Sequence, residues 1–217
     1  MTLSRYRLAV HYAIDGDLRF ISHSDTLRLF ARALARAQLP VRFSAGFNPR
    51  PKIWLPLPRP VGVASDDEML LIELTRPLAP ETLRQRLAAC LPTGIRLQQA
   101  RQAGSAMPQP LEVQYHLPLE PHQQQAAARA LQRLLQGPSQ PADRASSPAR
   151  IRSALVAATC QGYQLQFSLR VDPAAGLRPA ALLEALHLPP ESLARLRRSR
   201  VRWQWGQHQP GRDEPQH

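Results

Sequence analysis

The chain has 217 residues, of which 43% are apolar, and it carries a formal net charge of +12. This apolar content is enough for a packed core and excludes disorder along the whole chain. No run approaches the roughly 20 apolar residues of a membrane-spanning helix, and the first residues lack the apolar stretch of a signal peptide. The sequence therefore predicts a cytoplasmic protein without a membrane segment.

The charge is the strongest signal in the composition. Basic residues outnumber acidic ones by 28 to 16, and all but one of the basic residues are arginine. A GC-rich genome would favour arginine over lysine, but it would not produce an excess of bases over acids. Because a positive field of this kind attracts phosphates, the composition indicates a polyanion as the partner, with RNA as the first candidate.

The first hundred residues predict alternating strands and helices. A turn at Asp15–Asp17 follows the first strand, and a proline-rich loop extends to about Asp67. The first helix would bury Leu27, Phe30, Ala31 and Leu34. The predicted elements are a strand over Tyr6–Ile14, a helix over Asp25–Ala37 capped by Ser24, strands over Val41–Ser44 and Met69–Leu74, a helix over Glu81–Leu91 and a strand over Ile95–Ala100.

The second half predicts a similar order of elements. These are a strand over Leu111–Leu119, a helix over Gln123–Gln136, a flexible loop over Gly137–Ala149, strands over Ile151–Ala158 and Tyr163–Val171, helices over Pro179–Leu186 and Glu191–Leu196, and a strand over Val201–Trp205. Each half follows the β-α-β-β-α-β order. The sequence therefore predicts an α+β fold with two ferredoxin-like βαββαβ units in tandem, at residues 1–104 and 105–206, and a disordered tail at 207–217.

Cysteine usage argues against a metal or cofactor site. Cys90 and Cys160 are isolated in the sequence, so they form neither a disulfide framework nor a set of ligands at metal-binding spacing. No C-x-x-x-C-x-x-C motif for an iron–sulfur cluster is present. We expect no cofactor, no bound metal and no catalytic centre that depends on one.

The segment Leu18–Asp25 is the first candidate site. It joins a strand end to the start of a helix, where backbone N–H groups and the helix dipole favour an anion. Arg19, Ser22 and His23 would add side-chain donors. The alternative is local: Ser24 and Asp25 cap the helix, and Arg19 and His23 are solvated.

The segment Phe43–Ile53 is the second candidate site. Phe47 and Asn48 stand beside Arg50 and Lys52, which combines a stacking surface with charges that bind phosphate. The alternative is that Phe47, like the apolar residues after it, folds back to cover the sheet. The sequence alone leaves both alternatives open.

Two further groups of arginines could contact nucleic acid. Arg28, Arg32 and Arg36 recur every four residues, so they line one face of the first predicted helix without an acidic residue among them. Near the end of the chain the sequence RLRRSRVR is a dense basic run. Its candidate contacts are Arg197, Arg198 and Arg200.

Three strings resemble the radical SAM-linked proteins: GDLRFISHSD (Gly16–Asp25), LPVRFSAGFNPRPKI (Leu39–Ile53) and PVGVAS (Pro60–Ser65). That bacterial family is built around a domain of unknown function, which also occurs fused to the C-terminus of cobalamin-binding radical SAM enzymes. The sequence differs from the usual pattern at Ser24, where the family has an apolar residue, and at Arg50, where it has histidine. The resemblance implies an accessory role beside a separately encoded radical SAM enzyme.

Three functions remain open at this point. The first is a non-catalytic accessory protein that binds RNA, or presents an RNA substrate, to a radical SAM enzyme. The second is an adapter that docks such an enzyme without touching nucleic acid. The third is a metal-independent RNA endonuclease in which His23 would act as general base and Arg19 or Lys52 would stabilise the transition state. The sequence favours the first.

Overall fold

The computed structural model describes residues 6–137, 147–172 and 177–205. In the first half, a 3₁₀ helix over Gly16–Phe20 follows the first strand. The other elements of this half are β1 (Tyr6–Ile14), α1 (His23–Arg36), β2 (Ile53–Trp54), β3 (Ala64–Leu74), α2 (Pro80–Ala88) and β4 (Ile95–Ala103).

The second half contains four more strands and three α-helices among the described residues. A 3₁₀ helix over Pro190–Arg195 precedes the last strand. The other elements are β5 (Gln109–Pro118), α3 (Pro121–Gln136), α4 (Pro148–Ala154), β6 (Leu155–Gln161), β7 (Gln164–Arg170), α5 (Pro179–Ala185) and β8 (Arg197–Gln204). No helix in the described ranges is long and apolar enough to cross a membrane.

The strands form one eight-stranded sheet in the order β4-β1-β3-β8-β5-β7-β6, with β2 pairing with β3 beside this path. The two halves meet where β3 and β8 pair in parallel, over Ala64 and Ser65 only. The other strand pairs are antiparallel. At the other end of β3, β2 pairs with Leu71 and Ile72. One edge of β3 therefore pairs with a strand of the first half, β2, at one end and with a strand of the second half, β8, at the other. We call its β8 end the junction.

Each half packs its helices onto the sheet over its own apolar core. In the first half, Leu8, Val10, Tyr12 and Ile14 alternate along β1 and pack against α1 and α2. In the second half, apolar residues of α3, α4 and α5 cover β5, β7 and β8. Val63 immediately precedes β3 in sequence but belongs to the second core, so the cores approach each other at the junction.

The other face of β1 and β3 is covered by tryptophan. All three tryptophans of the chain, Trp54, Trp203 and Trp205, pack with Met107 over a small buried cluster of Ala9, Met69 and Leu71. The guanidinium of Arg101 lies 3.4 Å from the ring centroid of Trp205, which is a cation–π contact. The central strands are therefore buried on both faces, in agreement with their nearly continuous apolar sequence.

The α+β class and most elements agree with the sequence prediction, but three local predictions were wrong. Ser22, not Ser24, caps α1, which therefore begins at His23. The predicted strand over Ile151–Ala158 begins as helix α4, because Ser147 caps a turn that opens with proline. The predicted strand over Val41–Ser44 is reduced to isolated bridges. The predicted tail at 207–217 lies outside the described residues.

Candidate nucleic-acid interface

Residues 42–52 form a hairpin that projects from the edge of the sheet beside β2. Backbone hydrogen bonds from Lys52 N to Arg42 O and from Ser44 N to Arg50 O, both 2.8 Å, close its stem. The Arg50 N–H also donates to Ser44 Oγ at 3.0 Å. Gly46 has a φ of +119°, a region that side chains disfavour, so glycine allows the chain to reverse there. We call residues 44–50 the hairpin tip.

The hairpin tip presents an aromatic ring and a cation to solvent. Phe47 has a relative exposure of 106%, and about half of the Phe43 side chain is exposed. Asn48 and Arg50 are exposed too, and the Arg50 guanidinium makes no hydrogen bond or ion pair with any described residue. Ile53 and Trp54, in contrast, pack against the sheet. The structure thus separates the two alternatives: the residues after the hairpin cover the sheet, and Phe47 does not.

Lys52, at the base of the hairpin, faces a buried carboxylate. Glu73 on β3 is buried and lies 3.7 Å from the Lys52 ammonium, 3.1 Å from Arg42 and 3.4 Å from Arg7. One carboxylate therefore holds three cations in place. The cluster retains surplus positive charge at the base of the hairpin, although Lys52 itself is directed towards Glu73.

The three arginines of α1 are exposed but differ in their contacts. Arg28 forms a 2.8 Å ion pair with Asp25 one turn earlier. Arg36 donates to the backbone carbonyl of Cys90 beyond α2. Arg32, between them, makes no hydrogen bond or ion pair with any described residue. The expectation that these arginines have no acidic partner is wrong for Arg28, and Arg32 is the least constrained charge of the three.

The start of α1 is organised by Ser22. Its Oγ accepts a hydrogen bond from the Asp25 N–H at 3.1 Å and donates to the Asp25 carboxylate at 2.7 Å. These contacts with Ser22, and then the ion pair with Arg28, lower the pKa of Asp25 from its usual value. Ser22 is therefore occupied as a helix cap.

Arg19 lies in the 3₁₀ helix, and its backbone carbonyl is tied to the PVGVAS segment. That carbonyl accepts hydrogen bonds from the Arg59 guanidinium at 2.6 Å and from the Gly62 N–H at 2.8 Å. The side chain of Arg19 lies over the exposed ring of Phe20, 4.7 Å from the centroid. Two of the family-like strings therefore meet in the fold.

The C-terminal basic run, Arg195–Arg202, is mostly neutralised within the protein. Arg197 pairs with Asp66 at 2.5 Å and Arg198 with Glu68 at 2.9 Å, both across the junction. Arg195 pairs with Glu120, and Arg202 pairs with Glu112 at 3.1 Å. Arg200 is exposed and makes no hydrogen bond or ion pair with any described residue. Of the three arginines selected from this run, Arg198 is 1% exposed and directs its charge inward.

A buried polar cluster occupies the junction, and sequence reasoning missed it. Glu68, Tyr12 and Arg198 are almost completely buried. Burial raises the pKa of Glu68, and it raises the pKa of Tyr12 well above its ordinary value. Arg59 adds a second guanidinium, anchored on backbone carbonyls. The available signal was the acidic triplet Asp66–Glu68 at the start of an apolar strand.

His23, the first residue of α1, lines a small cavity against this cluster. The other lining residues are Tyr12, Thr26, Leu55, Leu57, Arg59 and Glu68. The cavity volume of about 10 Å³ is close to the minimum for one water molecule. A nucleotide or cofactor does not fit in that space.

These features define a mixed α+β protein with an exposed aromatic and basic hairpin on a strongly basic molecule. Residues 7–172 match the family of uncharacterized proteins conserved in bacteria (DUF2344). The chain belongs to this family.

A search of curated proteins found no match. Among solved structures, the chain is similar to an unknown protein from Galdieria sulphuraria, with 14% sequence identity and a TM-score of 0.27. That similarity covers 94% of this chain and 99% of the other.

Proposed function

We propose that this chain is a non-catalytic accessory protein that binds RNA for a separately encoded radical SAM enzyme. The observation that carries the RNA-binding part is the hairpin tip, which presents both the fully exposed ring of Phe47 and the exposed guanidinium of Arg50, which has no described partner. An exposed aromatic ring provides a stacking surface for an unpaired base, and an unneutralised arginine provides a contact for the adjacent phosphate. The net charge of +12 supplies the long-range attraction.

The distribution of charge supports the same surface. Most arginines of the C-terminal basic run are paired with acidic residues, whereas Arg50 and Arg32 are not paired with any described group. The surplus cations around Glu73 add positive potential at the base of the hairpin. Free positive charge is thus available around Phe47 and along α1.

The small size of the His23 cavity argues against an enclosed substrate pocket at that position. The space between His23 and the buried cluster holds about one water molecule, so the inner side of His23 does not supply a binding site for RNA. The cluster there is explained by structural contacts across the junction. We therefore place the function at the hairpin tip and on α1.

The architecture we propose is two ferredoxin-like units, at residues 1–104 and 105–206. The strand orders support this: β4-β1-β3-β2 in the first half and β8-β5-β7-β6 in the second. The family-like strings, which form the hairpin tip and the start of α1, support the accessory role beside a radical SAM enzyme.

The RNA-binding proposal is tested by fluorescence anisotropy with a labelled single-stranded RNA over a series of salt concentrations. The change Phe47→Ala should weaken binding by about tenfold, because stacking contributes about 1–3 kcal/mol per base. Arg32→Glu should also weaken it, whereas Arg129→Glu on α3 should have little effect. Arg129 is a matched control, since both arginines are exposed on helices without a described partner.

Binding that is absent in dilute buffer, or that is unchanged by both Phe47→Ala and Arg32→Glu, would contradict the proposal. The radical SAM part is tested by co-purification with the tagged enzyme from the same genome, with and without nuclease treatment. An association that survives nuclease while RNA affinity is absent would identify the protein as an adapter. Loss of the association after nuclease treatment would support presentation of RNA.

A further inference from the structure

Strand β6 (Leu155–Gln161) is a terminal strand of the sheet and carries no charged residue. It pairs with β7 on one side, and no described strand pairs with its other side. Its sequence, LVAATCQ, also lacks proline and glycine. An edge of this kind offers a row of backbone N–H and C=O groups to any strand that can approach it.

The opposite edge of the sheet is protected. Strand β4 carries the exposed arginines Arg96 and Arg101, and Arg96 is paired with Asp15. Charged side chains on an edge are a common device against edge-to-edge pairing. On a protein with a net charge of +12, the absence of charge from β6 distinguishes this edge from the other.

Exposed apolar side chains also occur on and next to the elements at this edge. The exposed large apolar residues of the second half are Leu135 at 50%, Val156 at 47% and Tyr163 at 56%. Leu135 lies near the end of α3, which packs beside β6, and Val156 and Tyr163 lie near the two ends of β6. Two half-exposed apolar residues, Val156 and Tyr163, thus lie on β6 or directly after it, and a third, Leu135, lies on the helix that contacts β6.

We propose that β6 pairs in antiparallel orientation with β6 of a second copy of this chain. A two-fold axis brings each residue of the strand opposite a residue of the same strand, so an uncharged strand can pair with itself without like charges meeting. The ladder of β6 with β7 is irregular between Leu155 and Ala157. The regular part, Ala157–Gln161, is therefore the segment that pairs, with the exposed Thr159 at its centre.

The flanking side chains extend the contact beyond the backbone. Five residues of strand pairing alone fall short of the roughly 1,000 Å² that a specific interface needs. Leu135, Val156 and Tyr163 of both copies add apolar area on either side of the two-fold axis. The dimer would join two eight-stranded sheets into one and leave both hairpin tips free.

Salt separates this association from RNA binding. Two molecules with a net charge of +12 repel each other, and salt screens that repulsion. Dimerisation through an uncharged edge should therefore become stronger as salt increases, whereas RNA binding should become weaker. Failure of the dimerisation proposal would therefore not imply failure of the RNA-binding proposal, and the reverse also holds.

The test is analytical ultracentrifugation of the full chain, from low to high micromolar concentration and at two salt concentrations. The wild type should reach twice the mass of one chain. Thr159→Lys should weaken dimerisation by about fivefold or more, because it places two like charges opposite each other. Gln99→Lys is the matched control: it adds the same charge to an exposed position on the other edge strand and should leave dimerisation unchanged.

A wild type that stays monomeric at high concentration in both salts would overturn the proposal, as would a Thr159→Lys variant that dimerises as well as the wild type. If the Thr159→Lys variant does not fold, hydrogen–deuterium exchange of the wild type tests whether β6 pairs with a second copy. Amides of β6 should become more protected as concentration rises. Protection that does not depend on concentration contradicts pairing through this edge.

Discussion

The hairpin tip and the C-terminal basic run are similar in sequence character but opposite in electrostatic situation. The tip contains one arginine beside an aromatic ring and the run contains five arginines, and both sequences suggest contact with nucleic acid. In the folded chain, Arg197 and Arg198 are held by Asp66 and Glu68 across the junction, whereas Arg50 has no described partner. A basic run therefore indicates a nucleic-acid-binding surface only when the fold brings no carboxylate to it. Whether a carboxylate reaches these two arginines depends on residues more than a hundred positions away in sequence.

The largest effect should follow from Glu68→Ala. The change leaves the Arg198 guanidinium buried without its carboxylate, and removing one partner of a buried ion pair costs about 3–5 kcal/mol. The free energy of unfolding, measured by urea denaturation, should fall by this amount. Glu81→Ala breaks the exposed pair with Arg84 and should cause little change. If the two substitutions lowered the free energy of unfolding equally, the ion pair between Glu68 and Arg198 would not be a main source of stability.

The next largest effect should be a loss of RNA affinity caused by a substitution at the hairpin tip. Arg50→Glu should weaken RNA binding by about tenfold, since a hydrogen bond to a charged group contributes about 1.5–3 kcal/mol. It should also reduce the slope of log affinity against log salt by about 1. Anisotropy titrations measure both quantities.

Arg197→Glu is the counterpart of this substitution within the basic run. The substitution should lower the free energy of unfolding, because the new carboxylate repels Asp66 at the junction. It should weaken RNA binding less than Arg50→Glu does. The opposite ranking would show that the basic run, not the hairpin tip, contacts RNA.

A smaller effect distinguishes the two serines at the start of α1. Ser22→Ala removes the hydrogen bond to the Asp25 N–H and should reduce the free energy of unfolding by about 1 kcal/mol, the usual value for a helix cap. Ser24→Ala, at an exposed position inside the helix, should be neutral. Thermal or chemical denaturation of both variants makes the comparison, and a larger loss for Ser24→Ala would contradict the cap.

The effect that develops most gradually is a pH dependence at the junction. Burial raises the pKa of Glu68 above 4.5, so the folded state binds this proton more tightly than the unfolded state. The stabilising contribution is complete below pH 4.5 and is lost as the pH rises through the folded-state pKa.

Glu68→Gln removes this titration. Relative to that variant, the wild type should therefore lose stability as the pH rises from 4.5, by at most about 1.4 kcal/mol per pH unit. Urea denaturation over a pH series checks the sign. A relative stability that increases with pH would refute the assignment.

The sequence predicted the elements better than the contacts between them. The alternation along Tyr6–Ile14 fixed β1 to the residue, because periodicity is a local property. The strand predicted over residues 151–158 rests on the hairpin signal at Gln161-Gly162, and the cap at Ser147 makes its first four residues helical. The junction could not be predicted, since Glu68 and Arg198 are 130 positions apart and no local pattern pairs them.

For the candidate site, too, the local sequence pattern could be predicted but the tertiary packing could not. The composition of the segment around Phe47 is visible in the sequence, but its exposure depends on whether the sheet has room for another aromatic ring. Trp54, Trp203 and Trp205 already cover the second face of β1 and β3. A local pattern could therefore identify the segment as a candidate, and only the packing shows that Phe47 remains outside.

The position of β8 has a consequence for how the protein is made on the ribosome. This strand is the last one described in the chain, yet it lies in the middle of the sheet, between β3 and β5. Until residues 197–204 leave the exit tunnel, β5 has no partner on its inner edge and β3 has none at its Ala64–Ser65 end. Assembly of the complete sheet must therefore wait for β8, and a chain that lacks this strand would expose both unpaired edges to other strands.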